Sequence, residues 1–190
     1  MIIKQPGGLA LSLFRQQRLF SDLQELEPDL RALEARFQHY VELESGLDER
    51  AMDLLSELLR YGERPVSCFE QHDSLVIAPR TGTITPWSTK ATEIARGCGL
   101  SGVVRIERGI VYLFSTHSGQ PLSSCSRAAI RPLLFDRMTQ TVLDQTEENR
   151  IFESGERGVL EQLAWIGAPW ADLVETNLRL GLALSDDELI

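Results

Sequence analysis

Apolar positions along the chain change period several times. Leu9, Leu11, Leu13, Phe14, Leu19, Leu23 and Leu26 fit one stripe of a helix, which Pro28 ends or interrupts. A short strand over residues 2–4, closed by Pro6-Gly7-Gly8, precedes it. After Gly46, Asp48-Glu49 opens a second helix with Met52, Leu54, Leu55, Leu58 and Leu59 on its buried side. Its acidic start suits the helix dipole, and Gly62, Glu63, Arg64 and Pro65 end it. Ser74-Leu75-Val76-Ile77-Ala78-Pro79 reads as a buried strand. Thr81-Gly82-Thr83 is a turn. Thr85 then caps a helix that starts at Pro86, carries Ala91, Ile94 and Ala95 on a narrow apolar face, and stops at Gly97 and Gly99. Strands over 103–107 and 110–114, separated by a bend at Gly109, follow. A polar loop leads to a helix over 126–133, limited by Pro132, and a strand over 138–143.

Residues 30–43 fit two periods. Leu30, Leu33, Phe37 and Val41 have helical spacing, while Ala35, Phe37, His39, Val41 and Leu43 alternate as in a strand. From 74 to 143 the order is β-α-β-β-α-β, and residues 1–79 have a similar rhythm. The expected fold is therefore α+β, with pseudo-duplicated ferredoxin-like (βαββαβ) halves and antiparallel sheets sharing the strand near residue 75. This assigns 1–143 to one domain. Residues 144–190 begin with Asp144, Glu147, Glu148, Glu153 and Glu156, and continue with Leu160, Leu163, Trp165, Ile166, Trp170, Leu173 and Val174. They read as a partly helical linker and the start of a further domain.

Charge and cysteine usage narrow the function. Lys plus Arg is 19 and Asp plus Glu is 28, giving a net charge of −9, which disfavours nucleic acid as a partner. No run approaches the ~20 apolar residues of a membrane helix, and the N-terminus does not open like a secretory signal. Cys68, Cys98 and Cys125 are widely spaced and form no CxxC pair, which suggests free thiols in a reducing, cytoplasmic setting.

Most motifs with chemical meaning fail on context. Gly97-Cys98-Gly99-Leu100-Ser101-Gly102 spells G-x-G-x-x-G, but a helix precedes it and a strand follows, the reverse of a dinucleotide loop. There is no P-loop and no nucleophile elbow. Cys68, His72, His117 and Cys125 lack a recognised metal-ligand spacing, and no carboxylate pair is marked as acid and base. Neither a catalytic residue nor a metal ligand is therefore assigned. The segment from Pro79 to Lys90 is different. Arg80, Thr81, Thr85, Trp87, Ser88 and Lys90 crowd a strand-to-helix turn where helix-start N–H groups can meet an anion. The same residues also suit a capped turn whose Trp87 docks on another domain. Arg105 and Glu107 share a strand face opposite Ile106 and read as a surface ion pair.

The stretch Pro79-Arg80-Thr81-Gly82-Thr83-Ile84-Thr85-Pro86-Trp87-Ser88-Thr89-Lys90-Ala91-Thr92-Glu93-Ile94-Ala95-Arg96-Gly97-Cys98-Gly99-Leu100 resembles the signature of the N-terminal domain of large, single-chain phosphoribosylformylglycinamidine synthases. Leu58-Leu59-Arg60-Tyr61-Gly62, Arg105-Ile106-Glu107-Arg108-Gly109 and the segment from Asn177 to Glu188 match in order around it. The resemblance implies two βαββαβ-like halves, similar to a dimer of the small accessory subunit of multi-subunit versions, and so a strand over 34–43.

The resemblance also implies a parent ligase of purine biosynthesis. There ATP, with Mg, phosphorylates the substrate amide oxygen, and ammonia from glutamine displaces the phosphate to give the amidine. The ATP-binding core and the glutaminase lie downstream in the family. This chain is thus expected to be an N-terminal fragment, inactive alone, without a cofactor and monomeric. Its expected partners are the synthase and glutaminase domains of the same polypeptide. Arg80, Thr81, Thr85, Trp87, Ser88, Lys90 and Arg105 are the substrate-binding or docking residues expected. A stand-alone, non-catalytic subunit bridging a synthase and a glutaminase is the alternative.

Overall fold

The computed structural model describes residues 1–62, 70–143, 148–153 and 169–189. Two compact units are present, Met1–Gly155 and Glu156–Ile190. The first contains strands β1 (Ile2–Leu9), β2 (Leu30–Leu43), β3 (Asp73–Pro79), β4 (Val103–Thr116) and β5 (Gln140–Leu143). Helices α1 (Leu13–Leu26), α2 (Glu49–Leu58), α3 (Pro86–Gly97) and α4 (Ser124–Leu134) alternate with them. The strands form one antiparallel sheet in the order β1-β2-β4-β3-β5. The fold is α+β, with five α-helices among the described residues.

Each helix start is set locally. Ser12, Asp48, Thr85 and Ser123 are the N-caps, each accepting a backbone N–H from the first turn. Alternation along the strands then decides what is covered. On one face α1 and α4 bury Leu33, Ala35, Tyr112 and Phe114 with Leu23 and Ile130. Further along the same face α2 and α3 bury Val41, Leu43 and Ile106 with Leu55 and Ala95. On the opposite face Tyr40, Val76, Ala78 and Leu143 pack with Ile151 of the 3-10 turn Glu148–Phe152.

Several expectations change. Residues 30–43 are a strand throughout, as the alternating positions allowed. The strands expected over 103–107 and 110–114 are one continuous strand, so the predicted βαββαβ order lacks its central break. Gly109 does not bend the chain there. It admits a neighbouring backbone, since a Cβ at 109 would lie 2.8 Å from the Ile77 carbonyl oxygen. Strand β1 likewise runs past Lys4 to Leu9, because an edge strand tolerates Pro6 and Gly7 packs beneath Phe37 and His39. Strand β5 starts at Gln140 rather than 138, since Asp136 accepts the Met138 N–H and the Thr139 hydroxyl in a turn.

In the second unit α5 (Trp170–Leu180) ends at Gly181 in the left-handed conformation, and a 3-10 turn spans Asp186–Glu188. The expectations for Cys68, residues 63–65, Trp165 and Ile166 fall outside the described residues. No described helix is long and apolar enough to cross a membrane.

Candidate functional site

The turn between β3 and α3 is locked by its own residues. The Thr83 N–H and hydroxyl both donate to the Arg80 carbonyl, at 3.1 and 2.6 Å. Gly82 has φ +83°, the left-handed region that favours glycine. Arg105 Nη2 reaches across from β4 to the Thr83 carbonyl at 2.7 Å. Thr85 Oγ1 accepts the Ser88 N–H at 3.0 Å and donates its own proton to Glu107 Oε1 at 2.8 Å. Glu107 is fully buried, and its Oε2 accepts from Arg105 Nη2 at 2.9 Å. Ser88, also fully buried, donates to the Ile106 carbonyl at 2.6 Å.

Thr85 and Arg105 therefore converge on Glu107, and Ser88 joins the network through Thr85 and Arg105. The carboxylate stands one hydrogen bond from the α3 cap, so the chain supplies its own anion at that helix start. The Arg105–Glu107 pair, expected at the surface, is buried, with side-chain exposures of 14% and 1%. The remaining expected residues are not drawn into this network. Arg80 and Lys90 are exposed, and Lys90 Nζ lies 3.5 Å from Glu93. Thr81 is half-buried in the turn.

Trp87 goes elsewhere. Its ring stacks on His39 with centroids 5.7 Å apart, and the Arg108 guanidinium lies 4.6 Å from its centroid. Phe37 takes the same guanidinium at 4.1 Å. Tyr61 Oη is 2.7 Å from His39 Nε2 and accepts from Arg108 Nη1 at 3.1 Å. Burial, and then the Arg108 cation, lower the His39 pKa from 6.5 to about 4, against an opposing contribution from the Gln5 backbone. The imidazole is therefore neutral at physiological pH. Sequence reading missed Phe37, His39, Tyr61 and Arg108. The only available signal was that Arg108 shares the Ile106 face of its strand, and Phe37 and His39 the Val41 face of theirs.

A family model described as formylglycinamide ribonucleotide amidotransferase N-terminal matches residues 36–152. The chain belongs to this family. Membership implies a role in formylglycinamide ribonucleotide amidotransferase, an enzyme of purine biosynthesis. The matched residues contain both the Glu107 network and the Trp87 cluster, so the family's N-terminal domain encloses the whole candidate site.

Proposed function

We propose that this chain is the accessory-subunit-like N-terminal domain of phosphoribosylformylglycinamidine synthase, docking on the synthase core to shape its substrate site or ammonia route. One observation carries the reading. The turn from Arg80 to Lys90 is braced from behind by Glu107, while Arg80, Ile84 and Lys90 remain exposed, Ile84 at 65%. A rigid, exposed turn with an apolar residue between cations suits a docking surface.

The order β1-α1-β2-α2 recurs as β3-α3-β4-α4, with two 14-residue strands paired antiparallel at the centre. This supports a duplicated, ferredoxin-like ancestry for the domain. The described residues offer magnesium no ready-made carboxylate site. Among the described residues no group of three or more His, Cys, Asp or Glu side chains could hold a metal ion. The buried carboxylates of Glu107 and Asp73 are already held by Arg105 and Arg127. We assign the ATP and magnesium chemistry to other parts of the enzyme.

The test uses the full-length enzyme carrying Arg80→Glu, Ile84→Asp and Lys90→Glu. These exposed positions can change without entering the core. Lower substrate affinity or lower glutamine-dependent turnover is expected. Unchanged values for both would defeat the docking role.

A further inference from the structure

The Arg108 cluster lies between the two helix pairs and plays no part in bracing the turn. Its guanidinium is held between the Phe37 and Trp87 rings, and Tyr61 takes one N–H. Other strand arginines meet carboxylates, Arg31 at Glu70, Arg36 at Glu34 and Arg105 at Glu107. The Arg108 guanidinium meets none among the described residues. Glu107 does not serve, because it projects from the opposite strand face. Its oxygens are taken by Thr85, Arg105 and the Arg108 backbone N–H. Neutral His39 adds no charge, so the cluster is a half-buried, uncompensated cation.

A guanidinium carries five N–H donors in a flat fork. Tyr61 accounts for one of them. The two rings fix the plane of the rest, which reduces the entropy lost when a ligand binds. A pocket of about 230 Å³ adjoins it, with Arg108, Trp87, Thr85, Glu107, Thr139 and Gln140 in its lining. Both Glu107 oxygens are already engaged by Thr85, Arg105 and the Arg108 backbone N–H, so the carboxylate there is a neutralised one. Gln140 Oε1 is engaged by the Asp136 N–H, which leaves its amide donors available.

We propose that this pocket binds an oxyanion, the phosphate or carboxylate group of a small molecule, through the free edge of the Arg108 fork. Bidentate contact to either group is the strongest hydrogen bonding a guanidinium makes. The volume suits one such group with a small appendage and is below that of sites for larger ligands.

The test is NMR on the 190-residue chain at constant ionic strength, following the Trp87 indole N–H and the Arg108 Nε–H. Inorganic phosphate, ribose 5-phosphate and acetate are titrated separately, with chloride as control. Saturable shifts at these two groups are expected with phosphate or acetate and not with chloride. The tighter of phosphate and acetate identifies the natural group. Arg108→Gln should abolish binding, and Arg108→Lys should weaken it by about tenfold or more, since charge is kept and the fork lost. Tyr61→Phe, which removes one hydroxyl, should also weaken it and decides the matter where Arg108 variants fail to fold. Non-saturating shifts, shifts equal to those with chloride, or affinity unchanged in these variants would overturn the proposal.

Discussion

Thr85 and Glu107 are joined by a 2.8 Å hydrogen bond that ties the first turn of α3 to the middle of β4. The same Thr85 oxygen caps the helix through the Ser88 N–H. Thr85→Ala loses both and leaves one buried carboxylate oxygen with a weaker set of donors. It should lower stability by about 1–2 kcal/mol, read as a shift in urea midpoint, while Thr85→Ser should be close to neutral. Equal midpoints for wild type and Thr85→Ala would show that this bond does not hold the turn.

Gly109 separates two expectations about β4. As a bend, it would accept alanine. As a point of close approach it would not, since the added Cβ would lie 2.8 Å from the Ile77 carbonyl oxygen and 3.3 Å from Tyr40. Gly109→Ala should cost about 1–3 kcal/mol through forced displacement of β3. Gly46→Ala, with nothing within 4 Å of its Cβ, serves as the control and should be nearly silent. A silent Gly109→Ala would contradict the strand packing.

His39 gives the fold a defined pH response. Its native pKa of about 4 lies below the unfolded value of 6.5, chiefly because it is buried and also because Arg108 is near. Above pH 6.5 neither state is protonated there, and the group contributes no pH dependence. Between pH 6.5 and 4 the unfolded chain takes up a proton that the native chain refuses, so stability falls as pH falls. Below about pH 4 both states are protonated and the loss levels off. The full loss is on the order of 3 kcal/mol. His39→Gln should flatten the slope of unfolding free energy across this window. An unchanged slope in the variant would show that His39 is not the group responsible.

What the sequence disclosed depended on how local each signal was. The Thr85 cap and Pro86 at the helix start lie next to each other in the chain, and the structure carries them as read. The facing of Arg105 and Glu107 follows from strand alternation and was legible too. Their burial was not, because it depends on Thr85 and Phe152 arriving from elsewhere in the chain. Residues 30–43 satisfied two periods until their pairing with β4 selected the strand. The Arg108 cluster draws on positions 37, 39, 61, 87 and 108, brought together by β2–β4 pairing and by the ends of α2 and α3. No spacing within a single segment encodes it. Gly109 was misread because glycine marks bends and close approaches with the same letter.

The proposed docking role assigns specificity to the exposed cations Arg80 and Lys90 of the braced turn. Arg80→Glu combined with Lys90→Glu should leave the urea midpoint of the chain within about 0.5 kcal/mol, as expected for surface changes. Association with the rest of the enzyme should weaken markedly in the same protein. A loss of fold stability instead would make these residues structural.

The most direct measurement is complementation in trans. Parent enzyme lacking this domain is mixed with the separately expressed chain, and glutamine-dependent amidine formation is followed as the chain is titrated. The docking role predicts saturable restoration of activity, with the saturation point moved to higher concentration by Arg80→Glu and Lys90→Glu. Full activity of the remainder without the chain, or no restoration at any concentration with the chain folded, would contradict it.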